Sequence, residues 1–229
     1  MMSDEDTIPP VALDDTTVSP LSEERTVSPR DEERTVSPNR EEDKTRPPAA
    51  VLRYETLPDL YAAIPQVSEM MHARPRPPEG VQDFLWRLRR SDTPEEGVTL
   101  TAFAFVPKLA IWWGHECLRT IPEVLTKTDR DLMEMIAKWL AEPTGENRHA
   151  IMKESLWAET RSPGVHLGLA VGWSGGSIAP NDPAPVPLHR CPRAINTAVL
   201  TCLASAAISR RTIYLTRFMD VAQSLFKVY

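Results

Sequence analysis

Five threonines, Thr7, Thr17, Thr26, Thr35 and Thr45, recur at spacings of ten, nine, nine and ten residues, each with a proline three positions later. An acidic cluster precedes every copy: Asp4-Glu5-Asp6, Asp14-Asp15, Glu23-Glu24, Asp31-Glu32-Glu33 and Glu41-Glu42-Asp43. Few large apolar side chains lie between them. A stretch of this kind cannot bury enough surface to offset the entropy of ordering, so residues 1–50 are predicted to form a disordered acidic Thr/Pro repeat tail. The short period would suit a solenoid only if the units carried an apolar stripe for stacking, and they carry none. Folding is therefore left to residues 51–229.

Charge divides at the same place. Residues 1–50 hold 13 acidic and 6 basic side chains, a net of −7, against −6 for the whole chain, so residues 51–229 carry a net of +1. A nearly neutral body lacks the basic face that displaces counterions from nucleic acid, and no nucleic-acid partner is expected. Cys117, Cys191 and Cys202 are odd in number and irregular in spacing, which reads as buried thiols of a reducing compartment. The start, Met1-Met2-Ser3-Asp4-Glu5-Asp6, is acidic where a signal peptide is basic and then apolar, so the expected location is cytoplasmic.

From Val51 the apolar residues fall at helical spacing. Thr56-Leu57-Pro58 reads as a cap with proline in the first turn, and Pro65 restarts the helix, which ends near His72. Arg74-Pro75-Arg76-Pro77-Pro78 is a linker. Val81, Phe84, Leu85 and Leu88 give an amphipathic helix, and Thr93-Pro94-Glu95-Glu96 carries the capping-box signature of the next, which Pro107 breaks or kinks. The segment Leu109 to Leu118 is apolar nearly all round, predicting a central buried helix. Leu132, Met135, Ile136, Trp139 and Leu140 define another, with Asp129 and Asp131 placed for its dipole. Thr144 to Ala158 is predicted helical with Ile151, Met152 and Leu156 inward, and Ser162-Pro163 opens a helix that Gly175-Gly176 ends.

Residues 178–193 read as a Pro-rich strap, Ala194 to Ala207 as an apolar core helix, and Tyr214, Phe218, Val221, Ala222 and Leu225 as the last helix. The stretch 194–208 is shorter than the ~20 residues a bilayer requires and includes Asn196, so stable membrane insertion is not expected. Residues 51–229 are thus predicted to be one all-α, helical-bundle-like domain of about seven or eight helices.

The chemistry is sparse. Gly172-Trp173-Ser174-Gly175-Gly176 matches the G-x-S-x-G nucleophile elbow, which needs a strand before the serine and a helix after it. The Pro-rich stretch that follows excludes that helix. The favoured reading of Trp173, Ser174, Gly175 and Gly176 is a glycine helix stop and tight turn beside a possible groove wall, with a serine hydrolase using Ser174 as the alternative. His115-Glu116 lacks the second histidine of a zinc protease, and His189 with Cys191 lacks a second ligand pair. No catalytic residue, metal site, cofactor site or glycine-rich phosphate loop is expected. The six tryptophans read mainly as core.

The segment Trp139-Leu140-Ala141-Glu142-Pro143-Thr144-Gly145-Glu146-Asn147-Arg148-His149-Ala150 resembles the W-L-x-x-P-T-x-x-N-R-x-A segment of an uncharacterised bacterial helical family. Trp173 to Pro180 is similar to that family's W-S-G-G-S-(apolar)-A-P segment, and the Trp112-Trp113 pair and the Pro-rich strap fit as well. The resemblance covers roughly residues 80–229 and implies an all-helical fold with no assigned catalytic residue. It also implies a neighbourhood of type VI secretion genes and forkhead-associated partners.

Together these readings point to a non-enzymatic adaptor. Thr7, Thr17, Thr26, Thr35 and Thr45 would accept phosphate from a Ser/Thr kinase, with Ser19, Ser28 and Ser37 as alternative acceptors. Pro9, Pro20, Pro29 and Pro38 would keep the motifs extended. Forkhead-associated domains would read the phosphothreonines, and the body would dock onto a secretion-system component. Two other readings stand beside it: a structural subunit with a passive solubilising tail, and the hydrolase.

Overall fold

The computed structural model describes residues 51–177, 182 and 184–228, and the tail threonines lie outside them. Ten α-helices occur among the described residues: α1 Leu57–Ala63, α2 Gln66–Met70, α3 Val81–Arg89, α4 Glu96–Ala104, α5 Pro107–Arg119, α6 Lys127–Ala141, α7 Gly145–Trp157, α8 Pro163–Gly172, α9 Arg190–Ser205 and α10 Ile208–Val228. The fold is all-α, as the periodicity predicts. The count exceeds seven or eight because prolines start new helices: Pro65 sits at the N-cap of α2 and Pro107 in the first turn of α5. A 3₁₀ turn, Pro122–Val124, joins α5 to α6.

Local rules account for most of these boundaries. Thr56 caps α1 by accepting a hydrogen bond from Asp59 N at 3.2 Å. The inward face of α3 is Val81, Phe84, Leu85 and Leu88, all four buried. At α4 the expected capping box is absent. Glu95 occupies the N-cap without a side-chain bond, and the buried Glu96 accepts from the backbone N–H groups of His72 (3.0 Å) and Ala73 (2.9 Å). Those donors lie just before the Pro-rich linker and have no helix to join, so the carboxylate satisfies them in place of its own helix start.

The expected central helix, α5, packs against α4, α6, α8, α9 and α10. A second helix, α8, is just as central: it packs against α5, α6, α7 and α9, and Val165, Leu167, Ala170 and Val171 are fully buried. Its close neighbours depend on a stripe of Gly164, Gly168 and Gly172. A Cβ at Gly164 would sit 2.7 Å from Asp129 Cα, and one at Gly168 would sit 2.0 Å from Ser155 Oγ. This approach corrects the expected face of α7. Ile151, Met152 and Ser155 point inward, while Leu156 is 45% exposed. Only a small side chain fits opposite Gly168, so Ser155 takes the inner position and the adjoining Leu156, about 100° around the helix, turns outward.

Arginines hold several helix ends. Arg74 donates to Met71 O and to Ser68 O (3.1 Å), Arg148 to Gly172 O (2.7 Å), Arg161 to Ser155 O (2.7 Å) and Arg211 to Ala206 O (3.1 Å). The last carbonyls of α2, α8, α7 and α9 therefore gain charged donors where glycine C-caps are missing.

Asp129 joins two helices. In α6 it forms a capping box with Thr126, and its carboxylate also accepts from Ser162 Oγ and from Gly164 N at 2.8 Å, at the start of α8. It is wholly buried. The last two helices complete the core: Trp113 Nε1 donates to Phe218 O at 3.0 Å, and Asn196 in α9 accepts from Thr99 Oγ1 at 3.1 Å. The Pro-rich strap is shorter than expected, because α9 begins at Arg190 with Pro192 in its first turn, where no backbone donor is required. No helix among the described residues is long and apolar enough to cross a membrane.

Residues 51–53 add an isolated bridge. Val106 N donates to Val51 O at 3.0 Å and Arg53 N to Ala104 O at 2.8 Å, pairing Leu52 with Phe105.

Candidate functional site

The phosphate acceptors proposed from sequence, Thr7, Thr17, Thr26, Thr35 and Thr45, lie outside the described residues. The second candidate, Trp173 to Gly176, is well placed. Trp173 is the C-cap of α8, with its N–H donating to Leu169 O at 2.9 Å, and the chain then turns through Ser174 and Gly175 to Gly176 at φ +69°. That backbone region favours glycine. Ser177 and Pro185 then form an isolated bridge.

The G-x-S-x-G spacing has a packing explanation. Gly172 lies against Met152, where a Cβ would meet Cγ at 2.7 Å, and Gly176 supplies the positive φ. The residues before Ser174 are the last turn of a helix, so the strand an elbow requires is absent at this point. Ser174 Oγ donates to Val171 O at 2.8 Å, which is helix-end bonding. Trp173 is half-buried against the core with the Arg190 guanidinium over its ring at 5.4 Å, so it is a covered wall of the turn. Its buried Nε1 has no hydrogen-bond partner. Arg148 clamps the turn through Gly172 O, and burial lowers its pKa from the ordinary arginine value.

Among the described residues no group of three or more His, Cys, Asp or Glu side chains has the geometry to hold a metal ion. His189 precedes α9, and Cys191 is buried. Cys117 and Cys202 are likewise buried and free. Burial pushes the Cys191 and Cys202 thiols up to about 12 and Cys117 well above its usual value, so thiolate chemistry is suppressed.

Three of the tryptophans depart from the expected core role. Trp113 and Trp139 are buried, but Trp86, Trp112 and Trp157 are 37%, 36% and 80% exposed. Trp86 is overlaid by Arg89 and Arg90, at 5.7 and 4.8 Å from its ring centroid. Stacked guanidinium groups let an aromatic face sit at the surface.

One concavity escaped the sequence reading altogether. A cleft of about 380 Å³ lies between α5, the 3₁₀ turn and α6. Leu125, Met133, Pro122 and Ala137 form its apolar lining, with Arg119, Arg130 and Glu134 on the rim. The buried His115 ties the two walls, its Nε2–H donating to Met133 O at 3.2 Å. Its Nδ1 lies 3.4 Å from Glu116 Oε1, and Glu116 in turn pairs with Arg119 at 2.8 Å. Arg130 donates to Leu125 O at 2.7 Å. No motif announces this cleft, because its buried and exposed residues come from two helices and the turn between them, which only the fold brings together.

A family of unknown function, DUF6931, matches residues 84–226, which run from α3 into α10. No curated protein and no solved structure matches the chain. Residues 51–83 precede the matched region yet bury Leu57, Leu60, Ile64, Val67 and Met71 in the same core. With the match spanning more than half of its length, the chain belongs to the DUF6931 family of unknown function.

Proposed function

We propose that this protein is a non-enzymatic adaptor whose tail is a multivalent phosphothreonine array and whose helical body docks onto another protein. The observation that carries the reading is the fivefold recurrence of acidic cluster, threonine and proline at the third following position, at spacings of nine and ten residues. Phosphate on threonine adds nearly two negative charges and three acceptor oxygens, which arginine clusters of reader domains bind. A Ser/Thr kinase would modify Thr7, Thr17, Thr26, Thr35 and Thr45, and a forkhead-associated domain would read them. Nine flexible residues span about 17 Å root-mean-square, so neighbouring copies rebind one reader and raise avidity with no new contact.

The finer setting, a cytoplasmic adaptor in a type VI secretion assembly, belongs to this proposal and rests on the sequence resemblance. The packing explanation of Gly172 and Gly176 supports the adaptor over the Ser174 hydrolase.

The test is intact-mass and fragment spectrometry of the protein from its own host, followed by binding of a forkhead-associated domain. Several phosphates on the repeat threonines, with binding lost in the variant carrying all five Thr→Ala changes, are the expected results. A tail unmodified in every growth state, or binding unchanged in that variant, would leave the tail a passive spacer.

A further inference from the structure

The segment before the family-matched region is fastened at both of its ends to the two ends of α4. At the C-terminal end of α4, Arg53 N donates to Ala104 O at 2.8 Å and Val106 N to Val51 O at 3.0 Å. At the N-terminal end, Glu96 accepts from His72 N at 3.0 Å and from Ala73 N at 2.9 Å, with His72 Nδ1 3.3 Å from its Oε1. Between these fastenings Leu57, Leu60, Ile64, Val67 and Met71 are buried, and so is every residue of α4.

Three features set the segment apart from the rest of the core. Helices α1 and α2 have seven and five residues, too few to stay helical alone, so docking is what orders them. They join the body at its margin, α1 on α2 and α2 on α4, whereas α5, α8 and α9 pack on one another. Docking also carries a cost. Arg53 donates through Nη1 to Leu188 O at 3.2 Å, but its Nε is buried with no hydrogen-bond partner and would regain water on release. The Pro-rich linker that follows is held separately, by Arg87 donating to Arg74 O at 2.8 Å, and the family match begins only after it, at residue 84.

We propose that residues 51–73 form a strap that opens as one unit, with Glu96 as its latch, and that opening bares the side of α4 that the strap covers. Closed, the strap supplies the apolar side chains that seal α4. Open, α1 and α2 unfold and the linker stays on α3, so access to α4 is set by one local equilibrium. This inference concerns the body alone. The Thr→Ala changes in the tail leave the strap intact, so the two readings fail separately.

The test is hydrogen–deuterium exchange of the full chain, read by peptide mass. Expected is that the amides of α1 and α2 exchange together and faster than those of α5, α8 and α9. Glu96→Gln keeps the shape of the latch but turns an NH₂ towards one of the two backbone donors. It should speed exchange in residues 51–73 by about tenfold and leave α5, α8 and α9 unchanged. Leu60→Ala removes an apolar anchor within the strap and should do the same, serving as the second variant if Glu96→Gln lowers the melting temperature of the whole chain. Exchange of α1 and α2 at the rate of α5, α8 and α9 in the native protein would overturn the proposal. So would a loss of protection spread evenly over all these helices in both variants.

Discussion

Replacing Asp129 with Asn tests whether one buried carboxylate joins two helix starts. The change keeps the shape of the side chain and removes its charge and one acceptor oxygen. In the native arrangement Oδ2 accepts from Thr126 N at 2.9 Å and Thr126 Oγ1 at 2.8 Å, while Oδ1 accepts from Gly164 N at 2.8 Å and from Ser162 Oγ. The hydroxyls can rotate and accept from an amide, but the two backbone N–H groups cannot. Either orientation of the Asn side chain therefore turns an NH₂ towards a backbone donor and leaves that donor unpaired in a buried place.

An orphaned buried donor costs about 1–3 kcal/mol, and the surviving bonds lose their charge assistance. Against this, a carboxylate with no cationic partner is no longer held out of water. The expected net loss is roughly 2–4 kcal/mol, or about 5–15 °C in Tm for a body of this size. Thermal and urea unfolding of the full chain measures it. The control is Asp131→Asn in the same helix turn, which breaks only an exposed pair with Lys127 and should change stability by less than about 0.5 kcal/mol. If Asp129→Asn unfolds within about 1 kcal/mol of the native protein, the double-capping argument is wrong.

Three other outcomes follow from the same structure. Gly168→Ala places a Cβ at 2.0 Å from Ser155 Oγ and should cost about 1–3 kcal/mol by overpacking; adding Ser155→Ala should recover part of this, since the next contacts are at 3.3 Å, and no recovery in urea melts would refute the stripe. Glu79 should contribute an acid-dependent stability, because its hydrogen bond from Arg87 holds its pKa below the usual carboxylate value of about 4.5. A carboxyl with a lower pKa folded than unfolded stabilises fully above the unfolded value and loses that contribution as pH falls through the folded one, so Glu79→Gln should flatten the fall in Tm below about pH 4.5, and parallel curves would count against it. The thiols of Cys117, Cys191 and Cys202 should resist iodoacetamide in the native protein and react only in denaturant; rapid alkylation under native conditions would contradict their burial.

Several elements were legible because one local rule decided each of them. The α3 face follows from the positions of Val81, Phe84, Leu85 and Leu88, and the α1 start from Thr56 with Pro58. Proline boundaries at Pro65, Pro107 and Pro163 likewise need no knowledge of the fold. Where a tertiary contact competed with a local rule, the local rule lost. Glu96 had the right spacing for a capping box, but two donors 23 and 24 residues away claimed its carboxylate. Leu156 had the right period for the core, but Gly168 brought α8 too close for anything larger than serine.

The candidate sites divide in the same way. The tail array is a matter of covalent order, a repeat that can be read without coordinates. The α5–α6 cleft left no trace in the sequence, since Arg119, Arg130, Glu134 and Ala137 read only as the solvated sides of two helices.

What the sequence determined by itself is the helical class, the proline boundaries and the repeat of the first fifty residues, because each depends on residues within a turn or two of one another. What only the tertiary structure decided is how closely α8 packs on α6 and α7, which face of α7 is buried, why Gly172 and Gly176 flank Ser174, and where the α5–α6 cleft opens. Those depend on side chains tens of residues apart meeting at van der Waals distance, and no local periodicity encodes which of them will meet.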